Sequence, residues 1–298
     1  MGDSIAFPGM TAFHAVPYVP SELIGGVNVA TISRRQTARL MIDMALARRN
    51  NSLPPIVCSS VNGQVLSEMG KASNSAYASA LMEVAHVVSA DGQPLVFASK
   101  LLGAGGLRER CATTDLFHDV AEIAVAENVS FYMLGASEDE NRKATNNMLR
   151  RYPQLRIVGR RHGYFDTIED EKSVVQSISN LKPDIVWVAL GYPRELEFCT
   201  RWRDALSGVG VLKTSGGLFN FLSGARRRAP MWMQMSGLEW AFRAFLEPRR
   251  LFSRYAVTNV HATWLLLRKT GIQRGTEYAV GGSRVLRTIM YALRRRGT

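Results

Sequence analysis

Four short stretches of this chain carry residues suited to meeting a phosphorylated ligand. They are Ser60-Val61-Asn62, Asp91-Gly92, Gly135-Ala136-Ser137 and Gly191-Tyr192-Pro193-Arg194-Glu195. Each follows a short apolar run, and parallel α/β folds bind their ligands outside the carboxyl ends of the strands. Hydroxyl, amide and carboxylate side chains occupy the first two stretches. In the third, a glycine turn opens a helix, where free backbone N–H groups at Gly135 and Ala136 could accept a diphosphate. Further along, Arg243, Glu247, Arg250 and Arg254 fall on one stripe at helical spacing. Three guanidinium groups held apart by one carboxylate make a diphosphate clamp. Each feature has a plainer reading when taken alone. Asp-Gly and Gly-x-Pro shape turns, and an arginine stripe can simply be solvated.

The elements that must position these groups alternate along the chain. Val27–Ile32, Ile56–Ser60, Val87–Ala90, Val129–Leu134, Leu155–Val158 and Ile185–Leu190 read as strands. A helix with Leu40, Met41, Met44 and Ala45 on one face follows the first, and Asp139–Arg151 and Glu171–Leu181 are the clearest helices between later ones. Apolar runs without polar alternation, separated by helices, predict a parallel sheet covered on both faces. The expected fold is α/β: a Rossmann-like, mostly parallel sheet flanked by helices, with a basic helical C-terminal appendage. Residues 1–26, rich in proline and ending in Gly25-Gly26, read as a loose N-terminal extension. Residues 27–225 read as the α/β body and 226–298 as the appendage. Within the appendage Gly237–Glu247 reads as a helix, and Pro248 opens a second at its first turn. Leu238, Phe242, Phe245 and Phe252 form an apolar stripe expected to dock on the body. Ser283–Arg296 reads as a small cationic amphipathic helix, either membrane-facing or packed on the body with a solvated basic face.

Charge is divided along the same line. Residues 1–225 hold 22 Lys and Arg against 22 Asp and Glu, and residues 226–298 hold 15 against 3, so the net +12 sits in the last quarter. Those arginines lie among Trp232, Trp240, Phe245, Phe252 and Trp264, which suits a phosphate-rich membrane surface or lipid diphosphate better than a solvated arm. Truncation after Tyr255 is expected to release the protein from anionic liposomes while leaving the body folded. Cys58, Cys111 and Cys199 are odd in number with no close pair, which argues against a disulfide framework and for a reducing compartment. No basic and apolar leader stands at the N-terminus, and no run reaches the ~18 apolar residues of a membrane span. The five histidines are scattered, no Cys/His spacing fits zinc, and no metal site is expected. Glu138-Asp139-Glu140 and Glu169-Asp170-Glu171 read as caps on helix dipoles rather than as Mg²⁺ ligands. Walker, G-x-G-x-x-G and G-x-S-x-G signatures are absent from this sequence.

The run Gly224–Arg254, GARRRAPMWMQMSGLEWAFRAFLEPRRLFSR, resembles the C-terminal signature of the WecG/TagA/CpsF glycosyltransferases (glycosyltransferase family 26). The matching residues are Arg228-Ala229-Pro230, Trp232, Gly237-Leu238-Glu239-Trp240, Arg243, Glu247-Pro248, Arg250 and Arg254. Upstream, Asp91-Gly92, Tyr152-Pro153, Gly159, Gly163-Tyr164-Phe165, Pro183-Asp184-Ile185, Gly191 and Pro193 extend the resemblance from about Val27 to Tyr255.

The resemblance implies an inverting, metal-independent transferase with no cofactor. Such an enzyme moves a sugar (N-acetylmannosamine, its uronate, or glucose) from UDP to a polyprenyl-diphosphate-linked saccharide, peripherally at the cytoplasmic face of the inner membrane. It implies Asp91 as the general base taking the acceptor's proton, with Ser60 and Asn62 beside the acceptor or sugar. It also implies Arg243, Arg250 and Arg254 neutralising the departing UDP, with Gly135, Ala136, Gly191 and Glu195 around the nucleotide. Homo-oligomerisation is left open, and nucleic acid is not an expected partner. Three positions depart from the family pattern. Glu195-Leu196 replaces Gln-Glu, with Glu197 one place late; Asn220 replaces Asp; and Thr113 replaces a glycine while Asp115 is kept. Two other classes stay open: a basic nucleic-acid-binding protein, favoured by a pI near 10.0, and a non-catalytic family member serving as a membrane scaffold.

Overall fold

The computed structural model describes residues 18–49, 51–71 and 75–271, with the side chains of Ser75 and Arg250 outside that description. It opens on a hairpin where a loose extension was expected. Strand β1 (Ser21–Ile24) pairs antiparallel with β2 (Val27–Ala30) across Gly25-Gly26. Both glycines have positive φ, 60° and 90°, the conformation a two-residue hairpin loop of this kind demands and side chains oppose. Residues 1–17 of the expected extension lie outside the described residues. Helix α1 (Arg34–Arg48) begins with a capping box, in which the Ser33 hydroxyl accepts from the Gln36 N–H and the Gln36 side chain accepts from the Ser33 N–H. Its expected face, Leu40, Met41, Met44 and Ala45, is buried.

The α/β part follows in the order β3 (Ile56–Val61), α2 (Gly63–Gly70), α3 (Ser75–Met82), β4 (Val87–Ala90), α4 (Gln93–Leu102) and α5 (Thr113–Ala126). Then come β5 (Ser130–Gly135), α6 (Glu138–Arg151), β6 (Arg156–Arg161), α7 (Ile168–Leu181), β7 (Ile185–Ala189), α8 (Arg194–Trp202), β8 (Val211–Thr214) and α9 (Leu218–Leu222). Strands β3 to β8 form one parallel sheet in the order β4-β3-β8-β7-β5-β6, flanked by helices as a Rossmann-like fold is. Four of the six strands match the apolar runs of the sequence closely, and β6 overlaps its expected run Leu155–Val158 but extends to Arg161. The exception, β8, occupies an inner position between β3 and β7, and Lys213 interrupts its apolar character. Every β8 residue is buried, the lysine included.

Among the described residues the appendage contains α10 (Met231–Met235), α11 (Glu239–Leu246) and α12 (Pro248–Lys269). Pro248 stands at the first turn of α12, where its missing N–H costs nothing. The face of α12 that packs inward is Leu251, Tyr255, Thr258, Ala262, Leu265 and Leu266, recurring at helical spacing. It lies along α2, where the small residues Gly63 and Gly70 admit it. A Cβ at Gly70 would stand 2.5 Å from the Leu265 Cδ1, and Ser67 Oγ pairs with His261 Nδ1 at 3.1 Å. Leu265 and Leu266 share one apolar core with Ile24, Val61 and Leu66.

Two expectations are corrected here. The stripe containing Phe245 and Phe252 is not the docking face, since those rings are 82% and 70% exposed. Helix α12 carries apolar residues on more than one side, and hydrophobicity alone does not say which side meets the body. Truncation after Tyr255 also strips Ala262, Leu265 and Leu266 from the core, so it unfolds part of what it was meant to spare. The hairpin finally clasps the end of α12. Gly26 N–H donates to the Lys269 carbonyl at 2.9 Å, and Gly25 N–H donates to Thr270 Oγ1 at 3.0 Å. Among the described residues no helix is long and apolar enough to cross a membrane. The helix expected at Ser283–Arg296 lies outside the described residues.

Candidate active site

The carboxyl ends of β4, β3 and β8 lie side by side, and their next residues make a continuous hydrogen-bonded cluster. Asp91 follows β4, Ser60 is the penultimate residue of β3, and Lys213 is the penultimate residue of β8. Thr113, the first residue of α5, bridges them: its Oγ1 donates to Asp91 Oδ2 at 2.8 Å and pairs with Ser60 Oγ at 3.2 Å. Lys213 Nζ donates to Ser60 Oγ at 2.6 Å and to the Thr214 carbonyl at 2.8 Å. The threonine standing where the family pattern has glycine therefore supplies the hydroxyl that holds Asp91. Asn62 sits beside this cluster, its Cβ 3.7 Å from where a Cβ at Gly92 would stand. Its Oδ1 accepts from the Val65 N–H and caps α2.

The electrostatics follow from burial. Asp91 is only partly exposed, and burial pushes its carboxyl above the usual range. The Thr113 hydroxyl and N–H and the charges of Lys213 and Arg110 pull it back down. Lys213 has no exposed surface, and burial pushes its ammonium down, opposed by Cys58, Cys111, Asp91 and Glu195. A carboxyl group with a raised pKa at a strand end, donated to by a hydroxyl, has the character of a general base.

Glu195 lies in the first turn of α8 and is buried. Its carboxylate accepts from the Gly216 N–H at 2.8 Å and the Ser215 N–H at 3.3 Å. Burial raises its pKa to about 7 against the pull of those N–H groups, the Gly191 N–H and Lys213. It therefore braces the loop after β8 and presents no free carboxylate outward. Glu197 accepts from the Tyr77 hydroxyl at 2.6 Å. Gly191, at φ 78°, stands at the open end of β7 with nothing within 4 Å of where a Cβ would be.

Gly135 and Ala136 do not form the expected anion site. A Cβ at Gly135 would fall 2.2 Å from the Ala189 carbonyl oxygen, so the glycine is required by the close approach of β7. The Ala136 N–H is spent on that carbonyl at 3.1 Å. Ser137 and Glu140 occupy the next donors through their capping box, and Glu138, Asp139 and Glu140 place negative charge where an anion would have to sit. Strand β5 is also three strand spacings, about 14 Å, from β3. Asn220 donates to Glu140, which an aspartate there would repel.

The appendage reaches the Asp91 neighbourhood through its first helices. Where a Cβ at Gly237 would stand, Phe97 lies at 3.5 Å and Gln93 at 3.7 Å, so this turn rests on the start of α4. Arg110, which faces Asp91, donates to Glu239 at 2.7 Å and also to Gln234. Arg228 pairs with Asp115 in the first turn of α5. Arg243 lies over the Phe221 ring at 5.9 Å, and Arg254 over the Tyr255 ring at 5.2 Å. The Arg254 Nε is buried with no hydrogen-bond partner among the described residues. The Arg250 side chain lies outside the described residues. The cluster thus unites Asp91, Ser60 and Asn62 and adds Thr113 and Lys213, which sequence reasoning missed. Arg243 and Arg254 stand on the α11–α12 pair, and Glu195, Gly135 and Ala136 are internal braces. Among the described residues no three His, Cys, Asp or Glu side chains gather as a metal site.

The family model described as Glycosyl transferase WecG/TagA/CpsF family matches residues 22–275. An N-acetylglucosaminyldiphosphoundecaprenol N-acetyl-beta-D-mannosaminyltransferase of Bacillus subtilis (strain 168) is 33% identical over 173 residues, covering 56% of this chain and 66% of the relative. Proteins of the same name from Bacillus spizizenii and Staphylococcus aureus (strain MRSA252) are 32% and 30% identical over 171 residues, each covering 57% of this chain and 65% of the relative. The matched stretch spans just under two thirds of the length of these relatives.

Proposed function

The chain belongs to the WecG/TagA/CpsF glycosyl transferase family, and we propose on that premise that it moves a sugar from UDP to a saccharide carried on a polyprenyl diphosphate, a step of bacterial surface polysaccharide assembly. The observation that carries this reading is the partly buried Asp91, held by Thr113 at the carboxyl end of the sheet. In the proposed reaction the acceptor hydroxyl attacks the anomeric carbon from the face opposite UDP. Asp91 takes the hydroxyl proton as the new C–O bond forms, and the electron pair of the broken bond leaves with UDP. The configuration at that carbon inverts.

Charge developing on the leaving diphosphate is neutralised by arginines of the appendage, Arg243 and Arg254 with Arg250, in place of a metal ion. The donor we favour is of the N-acetylmannosamine type, after the names of the relatives. Membrane contact is assigned to the exposed apolar side of α11 and α12, where Phe245, Phe252, Val257, Val260 and Trp264 face outward with Arg249 and Arg268 close by in sequence. Rings and basic side chains so mixed suit the headgroup level of an anionic cytoplasmic leaflet.

The test is transfer by the full chain from a panel of UDP-sugars to a synthetic N-acetylglucosaminyl lipid diphosphate, with and without EDTA. One donor is expected to react, chelator-insensitively, giving an inverted anomeric centre by NMR. A chain that neither transfers any of these sugars nor gains thermal stability from UDP refutes the reading.

A further inference from the structure

We propose that Lys213 is a positioning residue that holds the negative charge of Asp91 through a chain of two hydroxyls, Ser60 and Thr113. The inference rests on the reading of Asp91 as the base, but its physical content is independent of turnover. The chain runs Lys213 Nζ to Ser60 Oγ at 2.6 Å, Ser60 Oγ to Thr113 Oγ1 at 3.2 Å, and Thr113 Oγ1 to Asp91 Oδ2 at 2.8 Å.

Its two ends fix its direction. An ammonium group only donates, and an ionised carboxylate only accepts. The single hydrogen of Thr113 is spent on Asp91, so Thr113 must accept from Ser60. The hydrogen of Ser60 is then spent on Thr113, so Ser60 must accept from Lys213. Every hydroxyl dipole points the same way, from the cation to the anion, and each bond polarises the next. Protonating Asp91 or neutralising Lys213 removes the constraint at one end, and the order of the chain is lost.

A fully buried lysine on an inner strand also calls for an explanation. Cys58 and Trp187 stand opposite it in register on β3 and β7, positions where an apolar side chain would cost less. The groups that face the pair come from every neighbouring element: Cys58 on β3, Cys111 and Arg110 before α5, Thr113 on α5, and Glu195 on α8. Arg110 shares its charge with Glu239 and Gln234 of the appendage. Lys213 is the cation linked to Asp91 through hydroxyls alone.

The experiment is the carboxyl titration of Asp91, followed by NMR in the full chain carrying carboxyl-labelled aspartate, with D91N to assign the signal. Lys213→Met keeps the side-chain volume and removes a buried charge, so the variant is expected to fold, as a melting curve checks. Its Asp91 pKa should rise measurably, the direction that follows from losing a charge that favours the ionised form. Ser60→Ala leaves Lys213 in place and removes only the hydroxyl that links it to Thr113, so it should move the pKa in the same direction by less. In both variants the acid limb of the kcat/KM profile should move to higher pH, whereas a structural defect lowers the rate equally at every pH. An unmoved Asp91 signal in Lys213→Met overturns the proposal. A shift there with none in Ser60→Ala overturns the hydroxyl chain. If the chain transfers no sugar at all, the titration still decides the matter, so failure of this inference and of the proposed activity are told apart.

Discussion

Replacing Asp91 by Asn removes one charge and keeps the shape of the site. The amide oxygen can still accept from Thr113 Oγ1, which donates at 2.8 Å in the native cluster. Exchanging a charge-assisted bond for a neutral one costs about 1 kcal/mol. Release from the burial that pushes the Asp91 carboxyl upward works in the opposite direction. Net stability should therefore change by no more than about 1–2 kcal/mol, a few degrees in Tm for a domain of this size. The rate should suffer far more. A positioned general base contributes about 10²–10⁴-fold, or roughly 3–5.5 kcal/mol of barrier. Sugar transfer would be followed by chromatography of the lipid product and UDP affinity by calorimetry. UDP affinity should stay within about twofold if, as proposed, Asp91 serves the acceptor hydroxyl and not the nucleotide. If the Asp91→Asn variant keeps a rate within about tenfold of the parent, below the range a general base supplies, Asp91 is not the base and the reasoning from its environment fails.

Three further outcomes follow from the same geometry. Glu195 takes up a proton more readily when folded, at about 7 against an ordinary 4.5. Its contribution to stability is thus full below pH 4.5 and lost as pH rises through 7, so Glu195→Gln should stabilise the fold relative to the parent at pH 8 and not at pH 4, by up to about 3 kcal/mol; equal Tm differences at both pH values would contradict this. Gly135→Ala should cost about 3 kcal/mol or more by urea denaturation, since its Cβ would meet the Ala189 carbonyl oxygen at 2.2 Å in a left-handed conformation; a near-neutral effect would mean that β5 and β7 separate freely. Phe245→Ser with Phe252→Ser should weaken sedimentation with anionic vesicles tenfold or more while Tm moves by only a degree or two, because each exposed ring has about 2 kcal/mol to gain from lipid and little to lose from the fold; unchanged sedimentation would remove this face from the membrane assignment.

The sheet was legible wherever a strand is purely apolar. Apolar runs located β3, β4, β5 and β7, which are buried along nearly all their length, whereas β2 in the hairpin and the partly exposed edge strand β6 showed only short apolar stretches; periodicity located α6 and α7, and Pro248 the break before α12. Strand β8 escaped for a physical reason, since Lys213 reads as a surface residue until Ser60 is seen to accept from its ammonium, with Thr113 and Asp91 from two further segments continuing the chain. Asp91-Gly92 was readable locally as a turn after a strand, and family resemblance supplied its role. The misreading at Gly135-Ala136 has the opposite origin. A glycine turn before a helix does offer free donors in isolation, but the carbonyl that takes the Ala136 N–H comes from β7, more than fifty residues later. In the appendage two apolar stripes share one helix, and only the glycines of α2 decide which one packs.

The clasp between the first hairpin and the end of α12 bears on how the polypeptide is made. Gly25 and its partner Thr270 are 245 residues apart, a separation that ribosomes translating about 5–20 residues per second need roughly 12–50 s to cover. Throughout that interval Ile24 lacks Leu265 and Leu266, the neighbours that complete its shared core. The nascent hairpin therefore waits for its cover while the whole intervening stretch is made, which makes it a natural station for a chaperone and a place where slowed elongation would raise the risk of aggregation.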